Sequence, residues 1–227
     1  MRRLLGHAWG EYANVIDSII KRQACMRGDP EPSAITSLKY VSPKRISYYS
    51  NREYENTNSI KDEIGSICSG EWDCGTIRPV CGIDDEDWKA EGLNDYIHKS
   101  IRERYVCGKK WKNTPAYQYA LSRINTGSPT WHGSKSKKEL QRRCEKLDDL
   151  YESIQEKGLL SNRELTKRGR KLPRPVSKCR RGEILVDRGR NGQLLFVDGI
   201  HRLCLSKVLN IDLIPVQIVT RHPKYYE

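Results

Sequence analysis

The 227-residue chain has no run of 18 apolar residues, so its hydropathy offers no membrane-spanning helix. It opens Met1-Arg2-Arg3-Leu4-Leu5, without the apolar segment of a secretory signal, and a cytoplasmic location with no membrane partner is expected. Eight cysteines are present, yet none forms a Cys-x-x-Cys pair. The tightest group, Cys68, Cys74 and Cys81, has the wrong spacing for a zinc site, and without a secretory signal the thiols are expected to stay reduced. No internal repeat divides the chain.

What the sequence has in excess is positive charge, with 41 Lys and Arg against 29 Asp and Glu and a net charge of +12. Such a surplus favours polyanionic partners, or serves only to keep a basic surface in solution. The densest piece is residues 163–190, with eleven basic residues against Glu164, Glu183 and Asp187. Pro173 and Pro175 keep its middle extended. It reads as a nucleic-acid footprint or as a solvated loop, because no aromatics are interleaved with its charges.

Apolar spacing predicts a helix over residues 8–24, closed by the proline-rich connector after Gly28. A strand follows from Val41 to Tyr49, then short apolar pieces at Ile64 to Cys68 and Thr76 to Val80. Three helices come next: one after Asn94 stopping at Gly108, one capped by Thr114-Pro115, and one opened by a Ser136/Glu139 capping box and closed at Gly158. Two Gly/Trp segments, Gly70-x-Trp72-Asp73 and Gly108-x-x-Trp111, read either as hinged gates or as packed anchors.

From Gly182 the pattern changes. Two alternating apolar runs, Glu183 to Arg188 and Gln193 to Val197, meet at Asn191-Gly192 and predict a hairpin with a type I′ turn. Asp198-Gly199 then turns the chain into a helical run (Leu203, Leu205, Val208, Leu209), and Ile214 to Val219 closes as a strand. A helix that opens straight after a strand presents free N–H groups and a positive dipole end, to which His201 and Arg202 add side-chain donors. An anion, most simply a phosphate, is the expected occupant. The other reading has His201 satisfied by backbone and Arg202 paired with Asp198 or Asp187.

The Asp198-Gly199-x-His201-Arg202 corner, the hairpin before it and Ile214-Pro215-Val216 after it resemble the core of the ParB/sulfiredoxin superfamily. Residues 150–160 are similar to the helix that precedes that core. The resemblance implies an α+β fold with a small mixed sheet and a helical insertion. It divides the chain into an N-terminal helix and connector (1–40), a first strand with a mostly helical insertion (41–135) and the ParB/sulfiredoxin-like core (136–227). It also implies a nucleoside triphosphate, ATP or CTP, bound with Mg²⁺, its phosphates on Gly199, His201 and Arg202 and closed over by Arg188 and Arg190. Asp198 and His201 would be the catalytic pair of a phosphotransferase or nucleoside-triphosphate hydrolase, with Asp198 facing the metal. Sulfiredoxins place their reactive cysteine where this chain has Ile200, so sulfinic-acid reduction there lacks its nucleophile. The alternative from another class is a non-catalytic module that binds DNA or RNA through residues 163–190.

Overall fold

A computed structural model describes residues 18–19, 22–23, 25–26, 28–31, 38–54, 60, 63–75, 78–81, 93–167 and 183–227. Most of the expected helix over residues 8–24 and the middle of the basic stretch, residues 168–182, lie outside the described residues. The architecture is α+β, with a mixed sheet and separate helices. The chain divides into one unit of Met1–Arg78, Leu160–Gly199 and Leu213–Glu227 and a second of Pro79–Leu159 and Ile200–Asp212. No helix among the described residues is long and apolar enough to cross a membrane.

The first unit carries the sheet. Its strands are β1 (Lys39–Val41), β2 (Ile46–Tyr49), β3 (Ser66–Ile67), β4 (Ile184–Arg188), β5 (Leu194–Asp198) and β6 (Ile214–Arg221), in the order β1-β6-β4-β5-β2 with β3 also on β6. The single strand expected from Val41 to Tyr49 is two strands on opposite edges, β1 antiparallel to β6 and β2 parallel to β5. Pro43 breaks it by starting a 3₁₀ turn, where its missing N–H leaves no sheet bond unmade. β4 and β5 pair antiparallel as expected, but the connection is not type I′. Gly189 N–H bonds Gln193 O and Gly192 N–H bonds Gly189 O, and Gly192 alone in the turn has a positive φ, of 75°. This is a three-residue loop with a glycine bulge, the next commonest hairpin after the two-residue turn. The short helix α4 (Asn162–Lys167) also belongs to this unit.

β4 and β6 are buried along almost their whole length, as strands covered on both faces must be. Inside β4 lies Asp187, fully buried, whose carboxylate accepts from Ser50 Oγ (2.5 Å), Tyr54 Oη (2.8 and 3.0 Å) and Thr220 N–H (3.1 Å). Burial pushes its pKa up to about 6, although these donors and Arg52 pull it down. A carboxyl that holds its proton more tightly when folded supports the fold at low pH. That support is lost as pH rises from about 4 to about 6, by up to about 3 kcal/mol. His201, whose pKa is depressed to about 3, gives the opposite slope between about 3 and 6.5, so the Asp187 share is read as a difference. Denaturant unfolding at pH 4 and pH 7 should show wild type losing more stability over that interval than Asp187→Asn; equal slopes would refute the assignment.

The second unit is helical: α1 (Leu93–Tyr105), α2 (Pro115–Asn125), α3 (Lys137–Lys157) and α5 (Ile200–Val208). Ile97 and Ile101 on α1, Ala116 and Ala120 on α2, Leu140 and Leu147 on α3, and Leu203 and Leu205 on α5 are buried at helical spacing. Ser136 caps α3 by accepting from Glu139 N–H (3.2 Å), and Glu139 accepts from Lys135 N–H (2.7 Å). Thr114 stands at the N-cap of α2 with Pro115 after it, as expected, but its hydroxyl donates to Trp111 O, and Ser100 Oγ takes the Ala116 N–H. One cysteine expectation is overturned. Cys81 and Cys204, 123 residues apart in sequence and 5.9 Å apart at Cα, form a disulfide. The other five described cysteines are free.

Candidate anion site at the start of the last helix

β5 ends at Asp198, Gly199 turns the chain with φ +98°, and α5 starts at Ile200. A Cβ on Gly199 would stand 3.1 Å from Ile184 Cα and 3.2 Å from Glu183 O, so the corner requires glycine for space as well as for φ. Asp198 is exposed and folds back to accept from Gly199 N–H at 2.7 Å. One carboxylate oxygen is thereby committed to the turn.

On the first turn of α5, His201 is held by a group the sequence reading did not single out. Trp131 Nε1–H donates to His201 Nε2 at 2.9 Å, with the two rings nearly parallel. An Nε2 that accepts carries no proton, so the proton sits on Nδ1. Burial first, then the charges of Arg143 and His132, push the His201 pKa down to about 3. At neutral pH this imidazole is a fixed neutral donor. It is therefore ill suited to the acid–base role expected of it and well suited to holding an oxyanion.

The loop that delivers Trp131 is strained. Trp131 and His132 have φ of 39° and 60°, followed by Gly133 at 85°, and bulky residues adopt left-handed backbone at a cost of order 1–3 kcal/mol each. Thr130 N–H to Ser134 O and Ser134 Oγ to Trp131 O close the loop on itself. The strain places Trp131 against His201 and brings the His132 ring to 5.4 Å from it. Behind Trp131 stands Trp111 in an edge-on contact of 6.1 Å. Its indole donates to Asp148, which also accepts from Tyr105 Oη and Arg104. Buried and bonded in this way, Trp111 is an anchor rather than a gate.

Arg143, on α3, completes the group. Its Nε is sealed from solvent and has no hydrogen-bond partner, and burial lowers its pKa. An N–H taken out of water with no acceptor is costly unless an anion meets it. The same charge adds to the effect of burial on His201. Arg202 is half-buried on the same turn of α5 and has partners of its own.

The hairpin arginines go elsewhere. Arg188 pairs with Glu31 at 3.0 Å and lies over the Tyr225 ring. Arg190 bonds Asp73 through both its backbone N–H and its guanidinium, and also reaches Gly70 O and Glu71. The desolvation of buried Asp73 is outweighed by these bonds, and its pKa falls. Arg188 and Arg190, expected to close over phosphates, are held here by carboxylates in their own unit. Trp72, beside Asp73, donates its indole N–H to Cys68 O and packs against His222.

Protein-family models, curated proteins and solved structures give no match to this chain. Its chemistry is therefore read from its own residues. Among the described residues no three His, Cys, Asp or Glu side chains are grouped to hold a metal ion. In a cleft of about 590 Å³ beside Trp111 and Tyr117, Asp148 already accepts from three donors and Gln118 bonds Lys112 O. The stronger candidate is the Arg143/His201 group.

Proposed function

We propose that this protein binds a phosphorylated ligand, a nucleoside triphosphate such as ATP or CTP, at the first turn of α5. The observation that carries the reading is a half-buried arginine whose Nε is sealed from solvent and unbonded, in the same helical unit as a histidine held as a neutral donor on the first turn of a helix. His201 Nδ1–H, Arg143, Arg202 and the free N–H groups of α5 receive phosphate oxygens. Asp198, three residues before His201, is the carboxylate that would meet Mg²⁺ arriving with the triphosphate, and one carboxylate suffices where phosphates supply the other ligands. When bound, Mg²⁺ supplies charge neutralisation on the phosphates. The chain's own residues bind and orient; with His201 neutral, Asp198 is the group left to accept a proton if phosphoryl transfer occurs. The Asp198–Arg202 corner between β5 and α5, with its resemblance to the ParB/sulfiredoxin core, is the scaffold of this reading.

Thermal unfolding with each of the four ribonucleoside triphosphates, with and without Mg²⁺, tests it. A ligand at a hundred times its dissociation constant should add about 2.7 kcal/mol of stability. The gain should persist between 50 and 200 mM salt, whereas binding of a nucleic-acid backbone would collapse over that range. No stabilisation by any triphosphate or by pyrophosphate would end the reading.

A further inference from the structure

The covalent feature of α5 lies three residues beyond His201. Cys204 is fully buried, and Cys81, which is part-exposed, binds it from outside the helix. Lys207, one turn further, donates to Val80 O (3.4 Å) and Cys81 O (3.0 Å), so the segment from Val80 to Cys81 is fastened to α5 at two successive points. Only one of the two is reversible by redox chemistry. The five free thiols among the described residues lie on other segments: Cys144 is buried with its pKa pushed up to about 12, first by burial, Cys68 and Cys74 are half-buried, and Cys25 and Cys107 are exposed.

We propose that the Cys81–Cys204 pair is a reversible thiol-oxidation site that fixes α5, and with it the phosphate-binding turn, in its binding geometry. The proposal rests on the reading of that turn as a phosphate site for its effect on affinity, but not for the oxidation itself. Exchange with a low-molecular-weight disulfide proceeds through the accessible sulfur. The Cys81 thiolate attacks RSSR, forming a Cys81–SR bond and releasing RS⁻; the Cys204 thiolate then attacks Cys81 Sγ, forming the internal disulfide and releasing a second RS⁻. Two protein thiols are oxidised, one RSSR is reduced to two RSH, and the two thiol protons go to the released thiolates. Reduction runs the same steps backwards, with the first attack on Cys81 Sγ because Cys204 Sγ is inside the core.

The full-length chain is equilibrated in glutathione buffers of graded ratio, trapped with iodoacetamide and analysed by peptide mass spectrometry. Cys81 and Cys204 should change state together, in one two-electron step, with Cys144 unmodified in the folded protein. Reduced protein should melt about 10 °C below oxidised protein, as expected for opening a loop of more than a hundred residues. Its affinity for triphosphate should fall about tenfold, a normal coupling between linked sites. Cys81→Ser should behave as the reduced form in every buffer. Independent alkylation of the two cysteines under all ratios, or equal melting of both forms, would overturn the proposal. A coupled redox step and melting shift with no triphosphate binding in either form would leave the oxidation site standing and remove the phosphate reading. Equal triphosphate affinity in both forms would remove the control of that turn.

Discussion

Replacing Arg221 by alanine is expected to destabilise the protein by about 3–5 kcal/mol, the usual penalty for removing one partner of a buried ion pair. Arg221 is completely buried at the end of β6. Its guanidinium bonds both oxygens of Asp29 (2.9 and 2.6 Å), Gly65 O (2.7 Å) and Glu31 O (3.0 Å), with Tyr226 Oη at 2.9 Å. Alanine would leave an 8 % exposed Asp29 side chain without its counter-ion and a cavity beneath the connector. Arg221→Met fills much of the volume and should still destabilise, because the charge on Asp29 remains unanswered. The double replacement Arg221→Met with Asp29→Leu removes both charges and should recover most of the loss. Urea unfolding of the three variants separates charge from volume. A loss below about 1 kcal/mol in Arg221→Ala would show that water reaches Asp29 and that the pair does not fasten the connector.

Arg143 should behave in the opposite way. Replacement by methionine removes a half-buried charge whose Nε–H has no acceptor and keeps the apolar stem, so stability should be unchanged or rise by about 1 kcal/mol. Triphosphate affinity should fall by about ten- to a hundredfold, the effect of a lost hydrogen bond to a charged group. Loss of binding at undiminished stability distinguishes a residue held for a ligand from one held for the fold. Arg143→Lys keeps the charge but not the fork and should recover only part of the affinity. If Arg143→Met is strongly destabilised instead, the arginine has a structural role and the anion site loses its main support.

The parts of this molecule that were legible in the sequence are those fixed by local chemistry. The β4–β5 pairing, the capping of α3 by Ser136 and Glu139, the stop at Gly158 and the Asp198-Gly199 turn into α5 all depend on neighbours within a few residues. What was hidden depends on long separations. Pro43 was visible, but not that the two halves of its strand would join different edges of the sheet. The partners of Arg190 and Arg188 lie 117 and 157 residues away, and Cys81 lies 123 residues from Cys204. Trp131 lies 70 residues before His201, and the only local hint of its role was Trp-His-Gly, an aromatic pair ahead of a glycine in a short loop. Arg143 looked like any charge on an amphipathic helix. Its significance comes from what it does not touch.

The central claim is that an oxyanion sits between Arg143 and the first turn of α5. It is tested most directly by ¹H–¹⁵N NMR of the arginine Nε–H and histidine ring nitrogens during titration with a triphosphate at neutral pH. Before ligand is added, His201 should show a single neutral Nδ1–H tautomer, as its bond from Trp131 requires. On titration, His201 Nδ1–H and Arg143 Nε–H should move downfield together and saturate at the same concentration, as both enter charge-assisted hydrogen bonds. A triphosphate that binds while both signals stay in place, or a His201 found protonated at pH 6, would contradict the account.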